Sequence, residues 1–249
     1  MSKNYELLQR ASVEGSARPG PFATSARSRR TYEMRPVPDV RVLSREELIK
    51  LAQAVFLQPG EKSPKVVVFT GAESAAGCSS ICVGAAQALA ACVDEPVCLV
   101  DSNLRYASLH LCLGIENTKG LSEALAESAP IQEYVRKVPG DELWLLTSGV
   151  VSSPQVWTMN SSRLAARLNE LRQQFRFILM DSPPVNVYSD AISLGQLADG
   201  VVLIVSANST RKEAGRKAKE SLEMAGSRLL GAVLNNRTYP IPQPIYDRL

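Results

Sequence analysis

The sequence predicts an α/β fold, a mostly parallel sheet with helices on both faces, preceded by a disordered basic N-terminal arm. Three observations carry this expectation. Apolar runs of strand length alternate with helical patterns of roughly 10 to 20 residues, and strands spaced that way must be joined by crossovers, which makes them parallel neighbours. Four of the runs end in polar residues, Thr70-Gly71, Asp101, Asp181 and Asn235, and in such sheets ligands sit beyond the carboxyl ends of the strands. The first run also passes straight into a small-residue turn and a helix start, Gly71-Ala72-Glu73-Ser74-Ala75-Ala76-Gly77-Cys78-Ser79-Ser80, laid out like a phosphate-binding loop.

The elements follow in order. Ser44 with Glu47 three residues on is a capping box, opening a helix over Glu46–Leu57 that Pro59-Gly60 stops. Lys65–Thr70 is a strand of the fully buried type, and Ser79–Val93, rich in Ala, Val, Ile and Leu, is a helix packed on most sides. Pro96–Val100 is the next strand, ending in Asp101. Leu121–Ala126 and Ile131–Lys137 read as short helices, and Glu142–Leu146 as a strand. Pro154–Gln174 is a long helix with Leu164, Leu168 and Leu171 on one face. A strand over Phe175–Met180 ends in Asp181; then come a helix over Ala191–Leu197, a strand over Val201–Val205, a helix over Arg211–Met224, and a strand over Leu229–Leu234 ending in Asn235-Asn236.

With 249 residues, 45% of them hydrophobic, the chain can bury one sizeable core. The domain layout expected is an arm over 1–43, the α/β domain over 44–237 and an extended Pro/Tyr tail over 238–249. No apolar run approaches the roughly 18 residues of a membrane span, and polar Met1–Gln9 reads as no secretory leader. Cys78, Cys82, Cys92, Cys98 and Cys112 lie in apolar segments without a Cys-x-x-Cys pair, a pattern of reduced thiols in a cytosol. A net charge of +3 is too small to imply nucleic acid. It is concentrated in residues 1–41, where eight Lys/Arg face four acids; this is either a solvated tail or an arm that touches an anionic surface.

A phosphate-binding loop closes on Gly-Lys-[Ser/Thr]: backbone N–H groups cradle the phosphates, the ammonium neutralises the outer ones and the hydroxyl holds Mg²⁺. Gly71, Gly77, Ser79 and Ser80 are present, but Cys78 stands where the lysine belongs. Ala75 brings a methyl group where the backbone should approach a phosphate. Cys78 would also begin a helix, where the macrodipole lowers a thiol pKa. Asp181 precedes Pro183-Pro184, which stiffen the backbone and fix its aim. Asp190 is either a helix cap or a partner of Mg²⁺-bound water, and Asn235 either reads an adenine edge or is a turn residue. Cys78 and Cys82 are one helical turn apart with no third metal ligand, and His110 is the only histidine.

The blocks Leu-Val-Asp-Ser-Asn-Leu-Arg (99–105), Lys-Gly-Leu-Ser (119–122), Leu-Leu-Thr-Ser-Gly (145–149), Phe-Ile-Leu-Met-Asp-Ser-Pro-Pro (177–184), Ala-Asp-Gly-Val-Val-Leu-Ile-Val (198–205) and Leu-Gly-Ala-Val-Leu-Asn (230–235), in this order, resemble the bacterial tyrosine kinase family of capsule and exopolysaccharide loci. That family falls in the P-loop NTPase-like group of MinD and ParA. The resemblance implies ATP and Mg²⁺ at the strand tips, with Gly71, Gly77, Cys78, Ser79, Ser80 and Asn235 around the nucleotide. It puts Ser79, Asp101 and Asp181 near the metal, and makes Asp101 and Asp181 the catalytic carboxylates. It also implies a polysaccharide co-polymerase as partner, a homo-oligomer, phosphorylation of tail tyrosines such as Tyr239 and Tyr246, and a cytoplasmic protein held at the inner face of the plasma membrane through its partner. No nucleic acid is implied.

The chain departs from that pattern at the loop lysine (Cys78), at the second aspartate of the Asp-x-Asp-x-Arg block (Asn103), at both arginines of the Glu-Glu-x-Arg-x-Leu-Arg oligomerisation pattern (46–52) and in its sparse tail tyrosines. A charged hydrogen bond contributes about 1.5–3 kcal/mol, so the missing lysine weakens nucleotide binding by roughly one to two decades without abolishing it. Groups aimed at charge developing in a transition state are worth about 10²–10³ in rate each, so phosphoryl transfer suffers more. The expectation is a pseudokinase that regulates or scaffolds exopolysaccharide export. The alternatives are an active divergent tyrosine autokinase, rescued by Lys65, Arg105 or a neighbouring subunit's cation, and a MinD/ParA-like positioning ATPase relative.

Overall fold

The computed structural model describes residues 43–58, 63–150, 161–207 and 209–237, all within one compact unit. Strand β1 (Val66–Gly71) is buried along its whole length. Its side chains alternate between faces: Val66 and Val68 join one core, Val67 and Phe69 the other. This two-sided burial is why the run is continuously apolar, and each such side chain stabilises the fold by about 1.5–3 kcal/mol relative to exposure. β1 pairs in parallel with β5 (Phe177–Ser182) and β6 (Gly200–Ser206). Outward from β5 lie β2 (Val97–Asp101) and β4 (Leu143–Leu146), and outward from β6 lies β7 (Leu229–Asn235), all parallel. Among the described residues only β3 (Val135–Lys137), at the β4 edge, runs antiparallel, giving the order β3-β4-β2-β5-β1-β6-β7.

Helices cover both faces as expected. On one side lie α1 (Arg45–Phe56), α2 (Cys78–Ala90) and the short α3 (Leu109–Leu113). The capping box forms: Ser44 N donates to Glu47 Oε2 at 2.7 Å and Glu47 N to Ser44 Oγ at 3.3 Å. α1 buries Leu48, Ala52 and Phe56, and Gly84 of α2 permits its approach, since a Cβ there would lie 2.6 Å from Leu48 Cδ1. The other side carries α4 (Leu121–Ala126), α5 (Ser161–Gln174), α6 (Asp190–Leu197) and α7 (Lys212–Met224), with Leu164, Leu168 and Leu171 forming the buried face of α5. Among the described residues no helix is long and apolar enough to cross a membrane.

Two expectations are corrected. Ile131–Lys137 is not a helix: a single 3₁₀ turn over Ile131–Glu133 leads into β3, where Val135, Arg136 and Lys137 pair with Leu146, Leu145 and Trp144. Pairing with the neighbouring strand overrides the helical pattern of so short a segment. α3 was not expected at all; its N-terminus depends on the distant carboxylate of Asp101, described below. The arm up to residue 42, the start of the long helix at Pro154, and the tail with Tyr239 and Tyr246 lie outside the described residues.

Candidate functional site

The phosphate-loop segment keeps its shape through two left-handed residues, Ala75 at φ 60° and Gly77 at φ 82°. Gly77 is obligatory, because a Cβ there would collide with Nδ2 of Asn235. Ala75 holds the same backbone region without being glycine, a strain of about 1–2 kcal/mol. The loop is braced from its neighbours: Ala72 N donates to Ile204 O at 2.9 Å, Val185 N to Gly71 O at 3.0 Å and Thr70 Oγ1 to Pro183 O at 2.9 Å. Asn235 Nδ2 donates to Ala76 O at 2.9 Å. The tip of β7 therefore props the loop from beneath, and Asn235 is buried there.

At the start of α2, Ser79 Oγ donates to Asp181 Oδ2 at 2.6 Å. The other oxygen, Oδ1, is buried and accepts no hydrogen bond among the described residues. Burial pushes the Asp181 carboxyl up to about 6, although the Ser79 and Cys78 side chains and the Ser182 N–H hold it down. Asp101 lies opposite Asp181 in the β2–β5 register. Its pKa rises to about 7, first through burial and then through the Asp181 charge. Unlike Asp181, Asp101 is engaged on both oxygens: Oδ1 accepts from Asn103 N at 3.3 Å, and Oδ2 from Ser108 N and Leu109 N at 3.1 Å each. It caps α3 across the loop that follows β2.

In front of this pair opens a cavity of about 410 Å³. Gly71, Gly77, Cys78, Ser79 and Ser80, all expected around a nucleotide, line it together with Glu73, Asn103, Tyr106, Ser182, Pro184 and Tyr188. No lysine or arginine lines it among the described residues, and its one acidic lining residue, Glu73, adds negative charge. Asn103 presents a neutral amide where a second carboxylate would stand; its Oδ1 accepts from Tyr106 N at 3.2 Å.

Several individual expectations change. The Cys78 thiol is pushed well up, not down, because burial and the nearby Asp181 charge outweigh the helix N-terminus. Lys65 sits at the opposite end of β1 from the loop, its Nζ donating to Arg172 O, so it cannot serve the site. Asp190 pairs with Arg105, Nη2 to Oδ2 at 3.4 Å. His110 lies on α3, where burial lowers its pKa. Sequence reasoning missed Tyr106 and Tyr188, which form an aromatic pair at the cavity mouth with centroids 6.5 Å apart. Tyr106 directly follows the Asp-x-Asn-x-Arg block and Tyr188 lies four residues beyond Asp-x-Pro-Pro, and that proximity is the signal that could have found them.

A magnesium nucleotide is the group this fold implies, and most of the site fits it. Ser79 Oγ and the unpartnered Asp181 Oδ1 are the oxygens that would hold Mg²⁺. The turn entering α2 offers backbone N–H groups at a helix N-terminus to phosphate. Bound there, the nucleotide would bring the metal's charge and a transferable phosphoryl group. What the lining lacks is the cation for the outer phosphates.

A mostly parallel sheet with this loop at its carboxyl edge defines a P-loop NTPase-like domain of the MinD/ParA type. A family model for the cellulose biosynthesis protein BcsQ matches residues 64–223, and the chain belongs to that family. It is similar to tyrosine-protein kinase YwqD of Bacillus subtilis strain 168, 33% identical over 143 residues, a match covering 57% of this chain and 60% of that relative's length. The VpsO kinase domain superposes with a TM-score of 0.70 at 28% identity, covering 78% of this chain and 97% of that one. The Pyrococcus furiosus cell division ATPase MinD, 23% identical with a TM-score of 0.60 and covering 74% and 78%, shares the fold. These similarities group the chain with the bacterial tyrosine kinases of the MinD/ParA-like group.

Proposed function

We propose that the protein is a pseudokinase of the bacterial tyrosine kinase family, which binds Mg²⁺-ATP weakly and regulates or scaffolds capsular or exopolysaccharide biosynthesis and export by docking on a membrane co-polymerase. The observation that carries this reading is the cavity itself. The Ser79–Asp181 pair and the loop backbone are in place, while Cys78, Asn103 and Glu73 line the positions around them and no basic side chain does so among the described residues. The family description as a cellulose biosynthesis protein supports the link to polysaccharide. On this reading Ser79 and Asp181 hold the metal, and Gly71, Gly77, Cys78 and Ser80 surround the phosphates. Asp101 and Asn235 shape the site from behind. The protein works at the cytoplasmic face of the plasma membrane, as a homo-oligomer or with its partner.

The test combines co-purification with the cognate co-polymerase from detergent and anti-phosphotyrosine detection after incubation with Mg²⁺-ATP in its presence. The proposal expects a stable complex and no phosphotyrosine. Phosphorylation of Tyr239 or Tyr246 would establish an active autokinase instead, and failure to bind the co-polymerase would remove the scaffold role.

A further inference from the structure

We propose that Arg105 is the phosphate-binding cation of this chain, reaching the cavity from its aromatic rim in place of the lysine that Cys78 displaces. The inference rests on the cavity being a nucleotide cradle and assigns to that cradle a residue that its loop motif does not contain.

Arg105 stands immediately beside the cavity. Asn103 and Tyr106, on either side of it in the chain, both line the space. Its guanidinium lies 4.4 Å from the ring centroid of Tyr188, a third lining residue. The side chain is about a quarter exposed, at 27%, so the head is only partly desolvated. Its Nη2 lies 3.4 Å from Asp190 Oδ2, looser than the roughly 2.7–2.9 Å of a strong charged hydrogen bond.

Reaching a phosphate takes Arg105 away from Asp190, whose 8% exposed carboxylate then loses a partner but, as the first residue of α6, keeps the favourable field of that helix N-terminus. A planar guanidinium binds phosphate oxygens in a bidentate fork and stacks on an aromatic face while doing so, and Arg105 already lies over the ring of Tyr188, a residue of the cavity lining. The need is acute: Glu73 lines the cavity, two carboxylates lie behind it, and the other candidate, Lys65, is at the far end of β1.

The experiment is a double-mutant cycle on the full chain, reading the affinity for a fluorescent ATP analogue with Mg²⁺ by anisotropy. The four proteins are wild type, Arg105→Met, Cys78→Lys, and Cys78→Lys with Arg105→Met. Thermal melts confirm folding, and Arg105→Lys serves as the charge-conserving variant should methionine disturb the loop.

Arg105→Met is expected to weaken binding about ten- to a hundred-fold in the wild-type background. In the Cys78→Lys background, where the introduced ammonium supplies the charge, the loss should be less than about three-fold. Arg105→Lys should retain part of the affinity. Equal losses in both backgrounds would mean that Arg105 only supports the loop, and would overturn the proposal. If Arg105→Met binds like wild type while Cys78→Lys binds tightly, the cradle stands and Arg105 is rejected. Absence of binding in all four proteins would remove the nucleotide reading and the proposal together.

Discussion

Replacing Asp101 by asparagine should change the way stability depends on pH, by an amount that follows from the geometry behind the cavity. Asp101 is fully buried beside Asp181, and its carboxyl is raised from 3.8 to about 7. A raised carboxyl means the folded state holds its proton more tightly than the unfolded chain. The resulting stabilisation is complete below about pH 4 and is lost as pH rises toward 7. One pKa unit corresponds to about 1.4 kcal/mol, so between pH 5 and pH 8 wild type should lose on the order of 3 kcal/mol through this group.

Asparagine cannot ionise. It does forfeit one of the bonds to Asn103 N, Ser108 N or Leu109 N, at about 1–3 kcal/mol, but that loss is the same at both pH values and cancels from the comparison. Urea unfolding followed by circular dichroism, at pH 5 and pH 8 in EDTA, should therefore show Asp101→Asn gaining about 3 kcal/mol relative to wild type as pH rises. Parallel stabilities at the two pH values would refute the claim that Asp101 sits as a strained carboxylate.

Three further outcomes are expected. Gly77→Ala should destabilise the fold by about 2–4 kcal/mol in urea titrations, because the backbone is left-handed there and the new methyl meets the Asn235 amide. Lys65→Met should leave the affinity for a Mg²⁺-ATP analogue unchanged, measured by anisotropy, since Lys65 serves Arg172 O at the opposite end of the sheet. Asp199→Asn should destabilise at pH 7 with a deficit that shrinks below pH 4. Burial alone would push that carboxyl up, yet the Arg172 hydrogen bonds and the Val66 and Lys65 N–H groups hold it below its ordinary 3.8, so the stability it contributes is present above that value and lost as pH falls. Urea midpoints at pH 7 and pH 3 check this.

Most of the fold was legible because the central strands are buried on both faces. Val66–Phe69 and Phe177–Met180 must be apolar throughout, and their lengths and spacing then fix parallel crossovers. The Ser44–Glu47 box and the Leu164, Leu168, Leu171 stripe are local signals, and both elements formed where those signals lie. Ile131–Lys137 failed for the complementary reason: three residues of edge strand exist only because β4 lies alongside. α3 escaped notice because the carboxylate that caps it, Asp101, is seven and eight residues away from the N–H groups it binds.

The site divides in the same way. Ser79 with Asp181, and the lining by Gly71, Gly77, Cys78 and Ser80, follow from the strand-tip rule. The tertiary facts were invisible: Asn235 reaching under the loop to Ala76 O, Arg105 stacked on Tyr188, and the half-buried position beside Asp181 that raises the Cys78 thiol. Helix position alone would have lowered that thiol, and desolvation beside a carboxylate outweighs it.

The central claim is that the cradle survives while the loop lysine and the second aspartate that transfer needs are replaced by Cys78 and Asn103. The fate of γ-³²P-labelled ATP in a single-turnover incubation with Mg²⁺ and excess protein tests this most directly. The account predicts that label is retained on the protein under native conditions, is released by denaturation as intact ATP, and never appears as phosphotyrosine or free phosphate. Label covalently attached to tyrosine, or no label retained at all, would contradict it.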